Sequence, residues 1–317
     1  MIIKVPYRIN WAGAYLDCID EPVITSVIDK YITVDIEDLQ KDYMVIYSAE
    51  VNESYGVQLT PKIKESKVNS WIDYVDGCVA VFARNDIKLK QGCQLYVYND
   101  LPSGIGVSSS AAFIIAIIKA ICIVNKIELD DSVIAGFGYW VEHDYLGIPC
   151  GRMDFKAVLH EPGLWKINTG TCDLAQDKLI SKENYCGLLI YNDVHNHATD
   201  SKFTDNVAKI RGTKFNYTYN KAVAEYISRE ESIVNCINYL DDKVDKHLLA
   251  SYLDSSDTNI KRWLDLPDYY LEYDGILGSK VVGSGLRGAH FLLIDPEKEA
   301  DIRRALSDKY KIESCII

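Results

Sequence analysis

The sequence predicts an α+β protein built from two halves, and three observations carry that reading. Strand-like and helix-like stretches mix without a steady βαβ rhythm. Apolar residues make up 48% and charged residues 25% of 317 positions, enough to bury one large core or two ordinary ones. No repeat, low-complexity tract or flexible linker interrupts the chain. The halves are therefore expected to pack tightly, dividing near residue 180 into 1–180 and 181–317.

The elements follow in order. Val34, Ile36 and Tyr43–Tyr47 read as early strands, and Gln94–Tyr98 as another. A turn-rich segment, Asn99–Gly104, leads into an apolar helix from about Ser109 to Val124. A second helix is expected from about Asp131 to Leu146, and a strand at Leu188–Tyr191 opens the second half. Residues from about Ser201 to Leu264 read as mainly helical and polar-faced. Lys280–Val282 runs into a second glycine segment, Gly283–Gly288. A strand at Phe291–Ile294, a helix at Glu297–Tyr310 and a strand at Ile312–Ile317 complete the chain.

Composition excludes several functions. Net charge is −12 and no long Lys/Arg run occurs, so nucleic acid and anionic membrane are poor partners. The longest apolar run, Ala111–Val124, is too short to span a bilayer and carries Lys119. Pro6 arrives too early for a signal peptide. Nine scattered cysteines with no CxxC pair argue against a disulfide scaffold or a zinc site. His195 and His197 have no cysteine or carboxylate cluster around them and read as loop residues. A cytoplasmic protein, monomer or homodimer, is expected.

The most informative stretch is Pro102-Ser103-Gly104-Ile105-Gly106-Val107-Ser108-Ser109-Ser110-Ala111-Ala112. Two glycines let the backbone turn and approach a ligand closely. The serines add hydroxyls, and the helix that starts at once aims its unpaired N–H groups back at the loop. That is an anion site, and phosphate is the natural anion. No Gly-Lys-Ser/Thr follows, so it is not a Walker loop. Read alone, the stretch is either this site or a plain turn with a serine N-cap.

The loop resembles the second motif of the GHMP kinases (galactokinase, homoserine kinase, mevalonate kinase, phosphomevalonate kinase). Pro6–Gly13 resembles the first motif of the galactokinase branch, and Gly278–Gly288 the third. Glu142–Asp154 is similar to the galactokinase segment that ends in the catalytic aspartate, and Trp71–Gly77 resembles another stretch of that branch. The resemblance implies a two-domain GHMP kinase fold with its active site in the interdomain cleft. It also implies an ATP-dependent kinase of a small molecule, most closely a sugar.

It implies roles residue by residue. Pro102, Gly104, Gly106, Val107, Ser108, Ser109, Ser110 and Ala111 would bind ATP. Ser110 and Glu142 would hold Mg²⁺, a hard cation that suits oxygen ligands. Asp154 would face the attacking sugar hydroxyl as base or orienting group, with Arg8 beside it as a fixed cation. Asp17 would contact the sugar. Without the resemblance, Glu142 reads as a helix-surface carboxylate, Asp154 as a helix cap, Arg8 as a cation at a strand end and Asp17 as a turn residue.

The chain also departs from the pattern. Galactokinases carry Gly-Glu-His-x-Asp in the first motif, where this chain has Gly13-Ala14-Tyr15-Leu16-Asp17. Tyr15 therefore joins Asp17 as a substrate-side residue, and substrate choice is expected to have shifted. Arg287 stands where most members have glycine, resembles the galacturonate kinase variant, and suits a carboxylate or phosphate. Phe203 is the nearest match to a tyrosine common in galactokinases. The expected reaction transfers phosphate from ATP to the anomeric hydroxyl of galactose or a galactose-like sugar. Galacturonate, a heptose phosphate or mevalonate as acceptor, a non-catalytic sugar sensor, and a scaffold without an ATP site are the rival readings.

Overall fold

The computed structural model describes residues 1–39, 41–60, 70–192, 199–240, 245–267, 271–286 and 289–317. The first half opens with β1 (Ile2–Ala12), a 3-10 turn (Leu16–Ile19) and β2 (Val23–Asp38). β3 (Tyr43–Ser48), β4 (Glu53–Gln58), α1 (Trp71–Arg84), β5 (Cys93–Asn99) and α2 (Ser109–Asn125) follow. α3 (Asp131–Trp140) continues into a π-helical turn (Val141–Tyr145), then α4 (Met153–Ala157), β6 (Gly163–Ile167) and β7 (Lys178–Ser181). The rest is β8 (Cys186–Tyr191), α5 (Thr199–Lys214), α6 (Lys221–Asn238), α7 (Lys246–Leu264), β9 (Ile276–Val281), β10 (His290–Ile294), α8 (Glu299–Leu306) and β11 (Lys311–Ile316). The α+β expectation holds.

Two sheets organise these elements. A seven-stranded sheet has the order β4-β3-β5-β2-β6-β7, with β1 paired to β2. All its pairs are antiparallel except β3 with β5. The second sheet, β11-β8-β10-β9, is antiparallel throughout. Every strand of the first lies before residue 182 and every strand of the second after residue 185.

Three local features position the site. β1 pairs with β2 from Ile2↔Asp35 to Ala12↔Ile24, with register shifts at Pro6/Arg8 and Asn10/Ala12. Such irregularities re-aim side chains, and here the chain on either side of Arg8 and Asn10 is buried from Val5 onward. α2 is apolar on all sides, with eleven buried residues, and so runs through the core rather than over it. α1 starts at Ser70, whose N–H donates to Asp73 Oδ2 at 3.3 Å. Gly77 on α1 lies so close to Val141 and Tyr145 that a Cβ would meet them at 2.7 and 2.9 Å, which seats the π turn against α1.

Candidate active site

The Gly104–Ser110 loop runs from β5 to α2. Gly104 (φ +83°), Gly106 (φ +94°) and Ser108 (φ +65°) all take left-handed backbone. For glycine this is free; for serine it is uncommon and worth explaining. Ser108 occupies the N-cap of α2, yet its side chain makes no capping hydrogen bond. Instead the Oγ atoms of Ser108 and Ser109 are both buried without a partner among the described residues. The plain serine-cap alternative therefore fails. The loop leaves two buried hydroxyls unsatisfied beside the open N–H groups of a 17-residue helix, a state that a bound anion would relieve. At the loop's entry Glu50 accepts from Ser103 N–H (2.7 Å) and Ser103 Oγ (2.6 Å). Nothing in the sequence pointed to Glu50.

The second glycine segment packs onto the first. A Cβ on Gly106 would meet Val282 O at 3.0 Å and Gly283 N at 3.1 Å, and one on Gly283 (φ +63°) would meet Gly106 Cα at 2.8 Å. Backbone thus lies on backbone where the two halves meet. Arg287 lies outside the described residues, as do His195 and His197.

Arg8, 4% exposed, joins the loop to Asp154. Its Nε donates to Asp154 Oδ1 at 2.8 Å, its second terminal nitrogen stands 2.6 Å from the same oxygen, and NH1 donates to Gly106 O at 2.9 Å. Asp154 Oδ2 takes no hydrogen bond among the described residues, and the side chain is 26% exposed. Asp154 sits in the first turn of α4, not at its cap. That helix is anchored by Lys156, whose fully buried Nζ lies 2.8 Å from Asp177 Oδ1 and donates to the carbonyls of Asn168 and Asp173. His160 completes the cluster on Asp177 Oδ2 at 2.8 Å.

Asp17 lies in the 3-10 turn after β1 and is buried. Burial, with the nearby Asp154 charge, pushes its carboxyl up to about 7, against the pull of Arg8. Gly151 makes room for it, since a Cβ there would overlap Asp17. Cys18 and Cys150 flank this acid, and burial raises both thiols. Tyr15 (φ +66°) is buried with its ring 5.5 Å from Phe203 and 5.0 Å from Trp263. Its hydroxyl donates to Ser284 O at 3.0 Å, and burial pushes its ionisation up to about 12. Arg211 Nε donates to Cys18 O at 3.0 Å, and Arg152 to Asp20 Oδ1 at 2.6 Å, so two further cations stand beside Asp17's turn.

Glu142 is buried on the π-helical turn, not a helix-surface carboxylate. Ser110 is half-buried in the first turn of α2. No cluster of three or more His, Cys, Asp or Glu side chains that could hold a metal occurs among the described residues. Glu142 and Ser110 each offer an oxygen of the kind a hard cation such as magnesium takes, and magnesium needs few protein ligands because it keeps its waters. No helix among the described residues is long and apolar enough to cross a membrane.

The serine-lined start of α2, tied through Arg8 to Asp154, is an arrangement with the chemistry to hold a phosphate. Residues 73–161 match the GHMP kinases N terminal domain. The fold is similar to Lactococcus lactis galactokinase complexed with galactose (TM-score 0.81, 15% identity, covering 99% of this chain and 92% of that one). It is also similar to Methanococcus jannaschii mevalonate kinase (TM-score 0.75, 20% identity, 99% and 97%).

In sequence the chain is similar to galactokinases along nearly its whole length. The galactokinase of Pyrococcus furiosus is 26% identical over 97% of this chain and 93% of its own. That of Thermotoga maritima is 24% identical over 98% and 94%.

Proposed function

We propose that this protein is an ATP-dependent sugar kinase. It would transfer the γ-phosphate to the anomeric hydroxyl of galactose or a galactose-like sugar, giving the sugar 1-phosphate and ADP. The observation that carries this is the three-point contact of Arg8. One guanidinium holds the Asp154 carboxylate and the Gly106 carbonyl of the phosphate loop together. Phosphoryl transfer asks for such positioning and charge neutralisation more than for covalent chemistry.

In this reading the N–H groups at the start of α2 and the Ser108–Ser110 hydroxyls take the phosphates, with Pro102, Gly104, Gly106, Val107 and Ala111 shaping the loop. Asp154 Oδ2 accepts or orients the sugar hydroxyl proton while Arg8 holds the carboxylate in place and meets charge building on the transferring group. Asp17 binds sugar hydroxyls. Ser110 and Glu142 would hold magnesium, which when bound neutralises phosphate charge. The two sheets form two domains dividing near residue 180, with the acceptor between them.

The acceptor itself differs from the galactokinase pattern in one supported respect. Tyr15 spends its hydroxyl on Ser284 O and buries its ring, so it acts as packing beside the sugar and contributes no hydrogen bond to it. Ala14 offers none either. Arg152, Arg211 and Arg287 favour an acceptor that carries a carboxylate, such as galacturonate, as the second reading. ADP release with Mg-ATP and galactose, galacturonate, arabinose, fucose, a heptose 7-phosphate or mevalonate tests both. Turnover with one sugar supports the kinase, and its identity separates the neutral from the acidic acceptor. ATP binding without turnover on any of them would overturn it.

A further inference from the structure

Two motif stretches that the sequence presents 270 residues apart are joined by a buried polar chain. Glu230, in the middle of α6, is 0% exposed. Its Oε2 accepts Gly13 N–H at 2.6 Å and Ser256 Oγ at 2.9 Å, and its Oε1 accepts Asn259 Nδ2 at 2.9 Å. Ser256 in turn accepts from Lys280 Nζ at 3.0 Å, and Lys280 is 1% exposed. The chain Lys280–Ser256–Glu230–Gly13 thus runs from β9, which feeds the Gly283–Gly285 segment, to the end of β1.

One helical turn before Glu230, Tyr226 Oη donates to Ala14 O at 2.5 Å. Residues four apart share a helix face, so one face of α6 grips the N–H of Gly13 and the carbonyl of Ala14. Gly13 has φ +85°, and a Cβ on it would press on Val23 at 3.0 Å, which leaves this backbone little room to shift. Asp17 follows within four residues. A buried carboxylate and ammonium are not needed for stability, since an apolar pair of similar volume often packs as well. What charge adds is direction, through a short charge-assisted hydrogen bond.

We propose that Glu230 and Lys280 are positioning residues that fix the Gly13–Asp17 segment for acceptor binding. This rests on the assignment of Asp17 to the acceptor. Neither residue touches the reacting atoms; both act through the Gly13 amide.

The test uses the full chain and the variants Glu230→Gln, Lys280→Met, the Glu230→Gln/Lys280→Met double and Ser256→Ala. Each is read by KM for acceptor, KM for ATP, thermal melting and amide hydrogen exchange of residues 13–18. Either charge variant is expected to raise acceptor KM about tenfold or more, leave ATP KM unchanged and speed exchange at 13–18. The double variant, with no unpaired charge, recovers part of the loss. Ser256→Ala keeps both charges and gives about a threefold rise, so the idea stays testable if a charge variant fails to fold. Unchanged exchange at 13–18 overturns the proposal. So does a parallel rise in both KM values with lowered melting and no recovery in the double variant, which marks a scaffold only. If the wild-type chain phosphorylates no sugar, the kinase assignment fails, and hydrogen exchange still decides whether Glu230 holds the segment.

Discussion

Two charged clusters stand two residues apart on the same short helix, and they are opposites. Around Asp154, Arg8 bonds through Nε and both terminal nitrogens, but among the described residues Asp154 Oδ2 and the Ser108 and Ser109 hydroxyls have no partner. Around Lys156, the side chains of Lys156 and Asp177 are 0% exposed, and Asp177 meets Lys156, His160 and the Asn168 amide. Among the described residues the first cluster leaves polar atoms unsatisfied, while the second pairs its buried charges and ties α4 to the segment around Asp177. Satisfaction of hydrogen bonds separates a site from an anchor better than charge or burial does.

The largest effect should come from breaking the unsatisfied side. Asp154→Ala is expected to lower turnover by about a thousandfold or more while ATP binding persists, measured by steady-state kinetics and nucleotide titration. Retained turnover would remove Asp154 from the chemistry.

Breaking the paired side should act on stability instead. Lys156→Met leaves the buried Asp177 carboxylate without its lysine partner and is expected to cost about 3–5 kcal/mol in denaturant unfolding. Losing activity with unchanged stability would erase the contrast between the clusters.

The pH dependence sharpens the same comparison. Asp17's carboxyl, raised to about 7, binds a proton in the folded chain that the unfolded chain has already released above its ordinary value near 3.8. Its contribution to stability is therefore present below that value and declines as pH rises from about 4 to about 7. Acceptor binding should run the other way. In the proposed reading it is ionised Asp17 that accepts sugar hydroxyls, so acceptor KM is expected to rise about tenfold per unit as pH falls below 7. Asp17→Asn should flatten both profiles.

Two smaller tests follow. Ser109→Ala removes an unpaired buried hydroxyl, so melting should barely move while ATP KM rises about tenfold. Tyr15→Phe deletes the hydrogen bond to Ser284 and is expected to cost about 1 kcal/mol in unfolding, with little change in kcat.

The glycine loop, the buried helix after it and the strands Tyr43–Tyr47, Gln94–Tyr98 and Phe291–Ile294 were legible because apolar runs and turn residues mark them directly. β1 was harder to read as a strand, because Arg8 and Asn10 occupy buried positions that a strand pattern assigns to apolar residues. Helix α1 was noticed only for its resemblance, although Ser70 and Asp73 form a start signal. β4, β6 and β7 are short or edge strands with little alternation. In the site, Arg8, Asp154 and the loop emerged from motifs. Glu230, Lys156 and Glu50 did not. A glutamate on a polar-faced helix looks solvated until the neighbouring elements that bury it are known.

The π-helical turn carries a consequence of its own. Each residue of an α-helix rotates the chain by about 100°, whereas a π turn spends an extra residue per turn. The stretch Asp131–Tyr145 therefore behaves like a dial advanced by one notch: it keeps its axis and alters the bearing of what comes late in it. Glu142 is one of the residues on that bearing. Removing a single residue here would leave an acceptable α-helix and a changed compass heading for the acid, so the segment's length is itself part of what sets where Glu142 points.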